Sequence, residues 1–503
     1  MARYSISKHQ EIELTPAPDY VSVRFKDGTD PAPLVRELVA SEELDRTRDV
    51  LTFQQSRVLL LPVHPNGPAD KVHAALTRTA GFSRGAPVFS RPDGSLLVLE
   101  GNVNARLSHL REKDISRLLR KHRASIARKP SPELPFHVLA PREGNAFALT
   151  GSLVNEGIEA HPRFMRSLKA PARPGSSLSG PGTPPHGPLP DPSYQWGWYR
   201  IRVNEAWKHT RGSPTVKVAV LDCGVDYSHP ELKPNLQGGY DMVDSDNEAQ
   251  ADVSNPDNYH GTACAGIIAA TGPRAFGVAP ECKLLPIRLS DIQFGHFGYG
   301  PDVLPLAIRK ASALGARVIN LSLDDPGFHQ DVQVAIHDVV HHPDPRKRCV
   351  VLAAAGNDHA PLSFPAAYED VIAVAATDRF DQPWRTETDG SNFGPGISIA
   401  APGSGIWTTD LTGPNGQILR NPPLGDYMDS FSGTSAACSF AAGVAALMLS
   451  INPDLSPSQV RKILEREAFK GTLSVENASY LGKGRIDAER AVLAAQELSG
   501  AIV

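Results

Sequence analysis

Cysteine is scarce in this 503-residue chain. The five present, Cys223, Cys264, Cys282, Cys349 and Cys438, include no C-x-x-C pair. That speaks against a disulfide framework and a structural zinc site, and it suits a reducing compartment. Long apolar runs are also lacking, with no stretch approaching the roughly 18 apolar residues that cross a bilayer. The opening, MARYSISKHQEIELTP, has no apolar signal core. A cytoplasmic location is therefore favoured over export by a route that the sequence does not display. Excess charge of one sign is missing too. There are 51 Lys and Arg against 55 Asp and Glu, a net charge of −4, so neither nucleic acid nor a membrane surface is expected as a partner.

What the chain does have is an apolar content of 41%, enough for cores of ordinary size, and Pro and Gly gathered in places. Residues 170–192 are rich in Pro, Gly and Ser and read as an exposed linker. The part before it looks duplicated. VSVRF (Val21 to Phe25) and VNARL (Val103 to Leu107) alternate like strands, and each precedes a helical run, PLVRELVA or ISRLLRKH. RVLLLPV and PFHVLAP come next, then helical KVHAALTRTAG and FALTGSLVNEG, and the halves close on APVF and HPRF. The order β-α-β-β-α-β predicts two small α+β, ferredoxin-like modules, residues 1–93 and 94–169.

After the linker, residues 193–503 change character. VKVAVLD, CKLLPIRL, ARVINLSL and CVVLAAAGN are near-continuous apolar runs separated by helical stretches. That alternation predicts a buried, mostly parallel sheet flanked by helices. Ligands bind beyond the carboxyl ends of such strands, so the residues that follow each run are the ones to inspect.

Asp222 ends VKVAVLD. His260 opens HGTACAGIIAA, where Gly261 lets another backbone approach. Ser435 follows SGT, at the start of a long apolar helix. Each alone reads as a turn, a structural histidine or a helix cap. Together they form the order Asp, His, Ser, each beside glycine at the end of an element. A serine hydroxyl attacks well only when a base takes its proton, and that base needs an anion to orient it. Asp226 and His229, in the loop after Asp222, read as structural.

From about Ser193 onward the chain resembles the subtilisin-like (subtilase) serine proteases. The resemblance lies in VAVLDCGVDYSHPEL, HGTACAGIIAA, INLSL, VLAAAGND, VIAVAATD, IAAPG and SGTSAACSFAAGVAAL. HGTACAG is worded somewhat like the kexin-type branch; the remainder reads as a bacterial subtilase. The resemblance implies that Asp222 is the orienting acid, His260 the general base and Ser435 the nucleophile. It puts the side-chain amide of Asn357 in an oxyanion hole with the Ser435 backbone N–H. It also implies a substrate-binding strand at Ser322, Leu323 and Asp324, a pocket wall at Ala354, Ala355, Gly356 and Asp358, and a protein or peptide substrate. The modules before the linker resemble the family's propeptide, with residues 94–169 as the inhibitory domain, residues 1–93 as a degenerate copy, and self-cleavage in the linker.

Several departures bear on this reading. Ala436, Ala437, Cys438 and Ser439 stand where the family commonly has Met-Ala-x-Pro. Asp324 and Asp325 stand where glycines are usual. With Asp358 they read either as solvated loop acids or as a preference for a basic residue before the cleaved bond. Cys223, Cys264 and Cys438, close in sequence to the three candidate catalytic residues, read as small packing residues. The loop after the histidine helix, ATGPRAFGVAP, carries no carboxylate or amide, so the family's calcium is not expected there. Asp241, Asp244, Asp246 and Asp252 read as a solvated loop or as a calcium position of their own. No cofactor is required by the expected chemistry. A zymogen endopeptidase is the leading reading, followed by a precursor-processing protease or transpeptidase and then by a non-catalytic binding module.

Overall fold

The computed structural model describes residues 2–7, 10–26, 44–45, 50–53, 57–63, 82–91, 95–142, 145–169, 194–293, 296–325, 327–413, 416, 426–471 and 477–500. The linker at 170–192 and the helical patterns expected at 33–40 and 71–81 lie outside them. The chain divides into two compact units. One comprises residues 1–170 with 292–304, the other residues 171–291 with 305–503.

In the first unit the segment from Leu96 to Lys169 folds as strand, helix, strand, strand, helix, strand: Leu96–Ala105, Glu112–Lys121, Ala124–Arg128, His137–Pro141, Ala146–Asn155 and Ala160–Lys169. The sheet is antiparallel, with strand order 2-3-1-4. Asn145 caps the second helix by accepting a hydrogen bond from the Ala148 N–H at 2.9 Å. Upstream, Tyr20–Phe25, Leu51–Phe53, Val58–Pro62 and Phe82–Arg84 repeat the same order. Two boundaries differ from the sequence pattern, the first being that Gln10–Pro16 pairs with Val88–Ser90 in the downstream sheet rather than in the upstream one. The second is that APVF does not close the upstream sheet. Its Val88 and Phe89, with Ser90, pair antiparallel with the start of Leu96–Ala105, and Phe82–Arg84 is the fourth upstream strand. A chain that turns back over a few residues pairs most readily with its own continuation.

The first unit also takes a hairpin, Ile292–Gln293 and His296–Tyr299, from far along the sequence. His296–Tyr299 pairs antiparallel with the end of Ala160–Lys169, from Arg166 opposite Tyr299 to Lys169 opposite His296. Asp302, just beyond the hairpin, accepts from Arg163 at 2.7 and 2.8 Å and from Arg128 at 2.5 Å.

The second unit is built on a seven-stranded parallel sheet. Its long strands in chain order are β1 (Lys217–Asp222), β2 (Lys283–Arg288), β3 (Ala316–Leu321), β4 (Val350–Ala354), β5 (Ile372–Thr377) and β6 (Ile397–Pro402). In space they run β2-β1-β3-β4-β5-β6, with Tyr240–Asp241 on the edge beside β2. Nearly every strand residue is buried, which is why the sequence shows apolar runs rather than alternation. Helices α1 (His260–Ala269), α3 (Gln330–Val340) and α4 (Thr434–Ile451) pack on this frame, with α2 (Val303–Ala313) leading into β3. α1 is buried along its whole length, and α4 from Thr434 to Leu449. The sequence reading that no stretch is long and apolar enough to cross a bilayer needs correction here. α4 reaches 18 residues at a mean hydropathy of 1.7. Its small residues let it sit within the core, 89% buried, as a core helix does.

Candidate active site

The strand order reverses around β1, which lies between β2 and β3. The carboxyl ends of β1, β3 and β4 therefore border the crevice that parallel sheets offer to ligands. Asp222 is the last residue of β1 and is 4% exposed. Its Oδ1 accepts from the Cys223 N–H at 2.8 Å. Its two oxygens lie 3.0 and 2.8 Å from His260 Nδ1. His260 is the first residue of α1 and is 3% exposed. A Cβ on Gly261 would lie 2.1 Å from the Gly224 carbonyl oxygen and 3.0 Å from Asp222 Cβ. Only glycine allows α1 to start this close to the β1 loop. The Phe431 ring meets the imidazole edge to face at 5.4 Å. Burial alone would lower the pKa of His260. The Asp222 carboxylate outweighs it, and the imidazole is raised well above its ordinary value. Its Nε2 is buried and has no hydrogen-bond partner among the described residues.

Ser435 is the second residue of α4 and is 2% exposed. α4 packs against α1 and against β3. The Ser435 hydroxyl donates to the Ser322 carbonyl at 3.2 Å, and the Ser322 hydroxyl donates to the Ser435 carbonyl at 3.1 Å. This reciprocal pair joins the end of β3 to the first turn of α4. Gly433, at φ +112, turns the chain into that helix. A Cβ there would meet Asn357 Oδ1 at 3.0 Å.

Asn357 follows β4. Its Oδ1 accepts from both the N–H and the hydroxyl of Thr434, each at 2.9 Å. The Thr434 hydroxyl in turn accepts from the Gly356 N–H at 3.2 Å. With its carbonyl side occupied, Asn357 has its NH2 group left as the donor end. Sequence reading singled out Asn357 and missed the clamp made by Thr434. Its only signal was the threonine before Ser435.

The candidate substrate-binding residues fall in two groups. Ser322 and Leu323 are buried beyond β3, and Ala354, Ala355 and Gly356 are buried at the end of β4. Of the three acids, Asp325 is 4% exposed, and its carboxylate is bonded to His329 Nε2 at 2.9 Å and to the Gly327 N–H at 2.8 Å. Asp324 accepts from the Ser363 hydroxyl at 3.5 Å, and Asp358 is exposed.

Calcium fits poorly at either place considered. In the loop after α1, Glu231 reaches across from another segment. Its two oxygens accept from the Arg274 and Ala275 N–H groups, each at 2.8 Å. In the acidic loop, Arg288 bonds Asp241 at 2.5 Å, Asp244 at 3.2 Å and Asp291 at 2.8 Å. A guanidinium thus engages two of the four loop carboxylates, while Asp246 and Asp252 accept from the Glu248 and Ser254 N–H groups at 2.9 and 3.0 Å. Cys223, Cys264 and Cys438 are buried, and burial pushes the Cys223 and Cys438 thiols well up. Cys264 Sγ lies 3.9 Å from His260 Nδ1.

Thermitase of Thermoactinomyces vulgaris is 36% identical over 308 residues, covering 60% of this chain and 96% of its own. A calcium-dependent protease of Trichormus variabilis is 36% identical over 329 residues, 58% of this chain. The chain spans about half of that relative's length, 48%. Among solved structures, fervidolysin from Fervidobacterium pennivorans, a keratinolytic enzyme related to subtilisin, superposes with a TM-score of 0.59 at 25% identity, over 78% of this chain and 61% of its own. The sequence profile of the subtilase family matches residues 213–490, more than half of the chain. The chain belongs to the subtilase family, the subtilisin-like serine proteases.

Proposed function

We propose that this chain is a serine endopeptidase made as a zymogen. The observation that carries the reading is the buried Asp222–His260 pair, with an unpartnered Nε2, in the unit that presents Ser435 at the start of α4. In the resting arrangement the Ser435 hydroxyl is bonded to the Ser322 carbonyl. The mechanism requires the hydroxyl to leave that bond and turn toward His260. The imidazole Nε2 takes the hydroxyl proton as Oγ attacks the substrate carbonyl, while Asp222 holds Nδ1–H and supports the charged ring. The carbonyl oxygen, now an anion, receives hydrogen bonds from the Asn357 NH2 group and the Ser435 N–H. His260 returns the proton to the leaving amine. Water then repeats the sequence on the acyl-enzyme and releases the acid. No step passes through a metal, and none is required.

Residues 94–169 serve as the inhibitory prosegment. The antiparallel pairing of Ala160–Lys169 with His296–Tyr299, a strand drawn from within the protease sequence, supports that role. Maturation cuts the 170–192 segment. A preference for a basic residue before the cleaved bond rests on the three acids Asp324, Asp325 and Asp358, of which Asp358 is exposed. A reducing, cytoplasmic compartment accords with five buried, unpaired thiols.

Incubating wild type and Ser435→Ala, then sequencing new N-termini and measuring peptide hydrolysis, tests the proposal. Wild type is expected to acquire a new N-terminus within 170–192 and to cleave peptides; the variant is expected to do neither. Activity surviving in Ser435→Ala would remove the nucleophile, and Lys or Arg peptides cleaved no faster than Leu or Phe ones would remove the specificity.

A further inference from the structure

On the flank of the second unit, the end of α3 carries His337 and His341 four residues apart, and the turn before β5 presents Asp370 to both. His337 Nδ1 lies 2.9 Å from Asp370 Oδ2, and His341 Nε2 lies 2.7 Å from Oδ1. The two rings are 4.4 Å apart at their centres, tilted by 38°. One ligand atom from each of the three residues falls within 4.8 Å of the others. We propose that His337, His341 and Asp370 form a surface site for a divalent transition metal of the zinc, nickel or copper class.

The chemistry selects that class. Two imidazole nitrogens and one carboxylate are the donors preferred by borderline metals. Calcium takes six to eight oxygens, and this cluster of three offers a single carboxylate. A tetrahedral zinc at about 2.0–2.1 Å from each donor separates the donors by roughly 3.3 Å. The nitrogen-to-oxygen distances of 2.9 and 2.7 Å run to the two different Asp370 oxygens, and one donor atom from each residue lies within 4.8 Å of the others, so a modest adjustment brings three donors to that spacing. Ring rotation suffices, because the side chains of His337 and His341 are 63% and 54% exposed. The fourth position then faces water.

The carboxylate is also held in place. The Arg461 guanidinium donates to the Glu369 carbonyl at 2.7 Å and to the Val371 carbonyl, on either side of Asp370. His341 and Asp370 line a cavity of about 220 Å³ that also contains Arg348 and Arg461. Those two cations are committed to backbone, Arg348 to the His342 carbonyl at 2.9 Å. Without metal, hydrogen bonds from both rings to Asp370 hold the cluster together. Burial would raise this carboxyl, and the bonds from His341 and His337 outweigh it and hold it below the usual range. A metal ion takes over the role of the two ring protons. It would bind the end of α3 to the start of β5, away from Asp222 and Ser435, so its effect is on unfolding rather than on turnover.

The test uses the full chain carrying Ser435→Ala, to prevent self-digestion, stripped with a chelator. Zinc chloride is titrated calorimetrically, and thermal unfolding is followed with and without zinc. One equivalent is expected to bind and to raise the unfolding temperature. His341→Ala and Asp370→Asn are each expected to weaken binding about tenfold or more. Cys264→Ala, which breaks the buried Asp222–His260–Cys264 group, is expected to bind as the parent does. Because both rings are mostly exposed, the variants are expected to unfold with the parent in chelator; His337→Ala stands in for any that does not. No saturable binding, binding that survives loss of His341 and Asp370, or binding abolished by Cys264→Ala would overturn the site.

Discussion

Thr434→Val asks whether the proposed oxyanion donor depends on a clamp. Valine keeps the shape of threonine and removes its hydroxyl. Two hydrogen bonds go: the one donated to Asn357 Oδ1 at 2.9 Å and the one accepted from the Gly356 N–H at 3.2 Å. The bond from the Thr434 N–H to the same Oδ1 remains. Asn357 is therefore loosened, not released. One ordinary hydrogen bond contributes about 1 kcal/mol, which corresponds to about a fivefold fall in kcat with KM unchanged. Removing the donor itself, with Asn357→Ala, is expected to lower kcat by roughly a hundredfold to a thousandfold. The decisive measurement is the double variant. If Thr434 acts only through Asn357, adding Thr434→Val to Asn357→Ala changes kcat no further, and the coupling equals the whole single-variant effect. A fivefold loss that persists without Asn357, or one that appears in KM, would refute the reasoning. The orphaned Gly356 N–H should separately lower stability, by about 1–3 kcal/mol in urea unfolding.

Other expectations rest on neighbouring observations. The protonated imidazole of His260 cannot act as a base, so kcat/KM is expected to fall on the acid side. Because Asp222 raises that pKa, the limb should lie above the ordinary imidazole range; Asp222→Asn should move it down and cut kcat about ten-thousandfold. Gly261→Ala drives a methyl group into the Gly224 carbonyl and should cost about 1–3 kcal/mol in denaturant unfolding, with loss of peptide hydrolysis. Asp226, fully buried, accepts from the backbone and hydroxyl of both Ser228 and Thr412 at 2.6 to 2.8 Å. Burial would raise this carboxyl, and the four donors outweigh it and hold it low. Its stabilising contribution is present above the unfolded-state value and is lost as pH falls through the folded one. Asp226→Ala should cost about 2–4 kcal/mol at neutral pH and flatten the acid limb of the stability curve. Chelator treatment should leave peptide hydrolysis unchanged; activity lost and restored by calcium would mean that the Glu231 and Arg288 contacts had been misread.

The parallel sheet could be read from the sequence because strands buried on both faces become uninterrupted apolar runs. The ends of VKVAVLD and VVLAA then marked Asp222 and the approach to Asn357. Partners supplied by distant segments were not legible. Glu231 closes a loop some forty residues away, and Phe431 rests on a ring 171 positions earlier; neither leaves a local pattern. The hairpin at Ile292–Tyr299 lies within the protease sequence and yet belongs to the sheet of the other unit. Periodicity reports which face of a segment is buried, not which strand it will meet.

If residues 94–169 act as the proposed inhibitory prosegment, that hairpin bears on how their restraint is lifted. While Ala160–Lys169 remains in place, the backbone amides and carbonyls of His296–Tyr299 on that side are already occupied. Once the strand leaves, they become a bare edge that any extended chain can fill. A tethered strand competes at a local concentration that free peptide rarely matches, so severing the tether, rather than strengthening an outside competitor, is the economical way to vacate that edge.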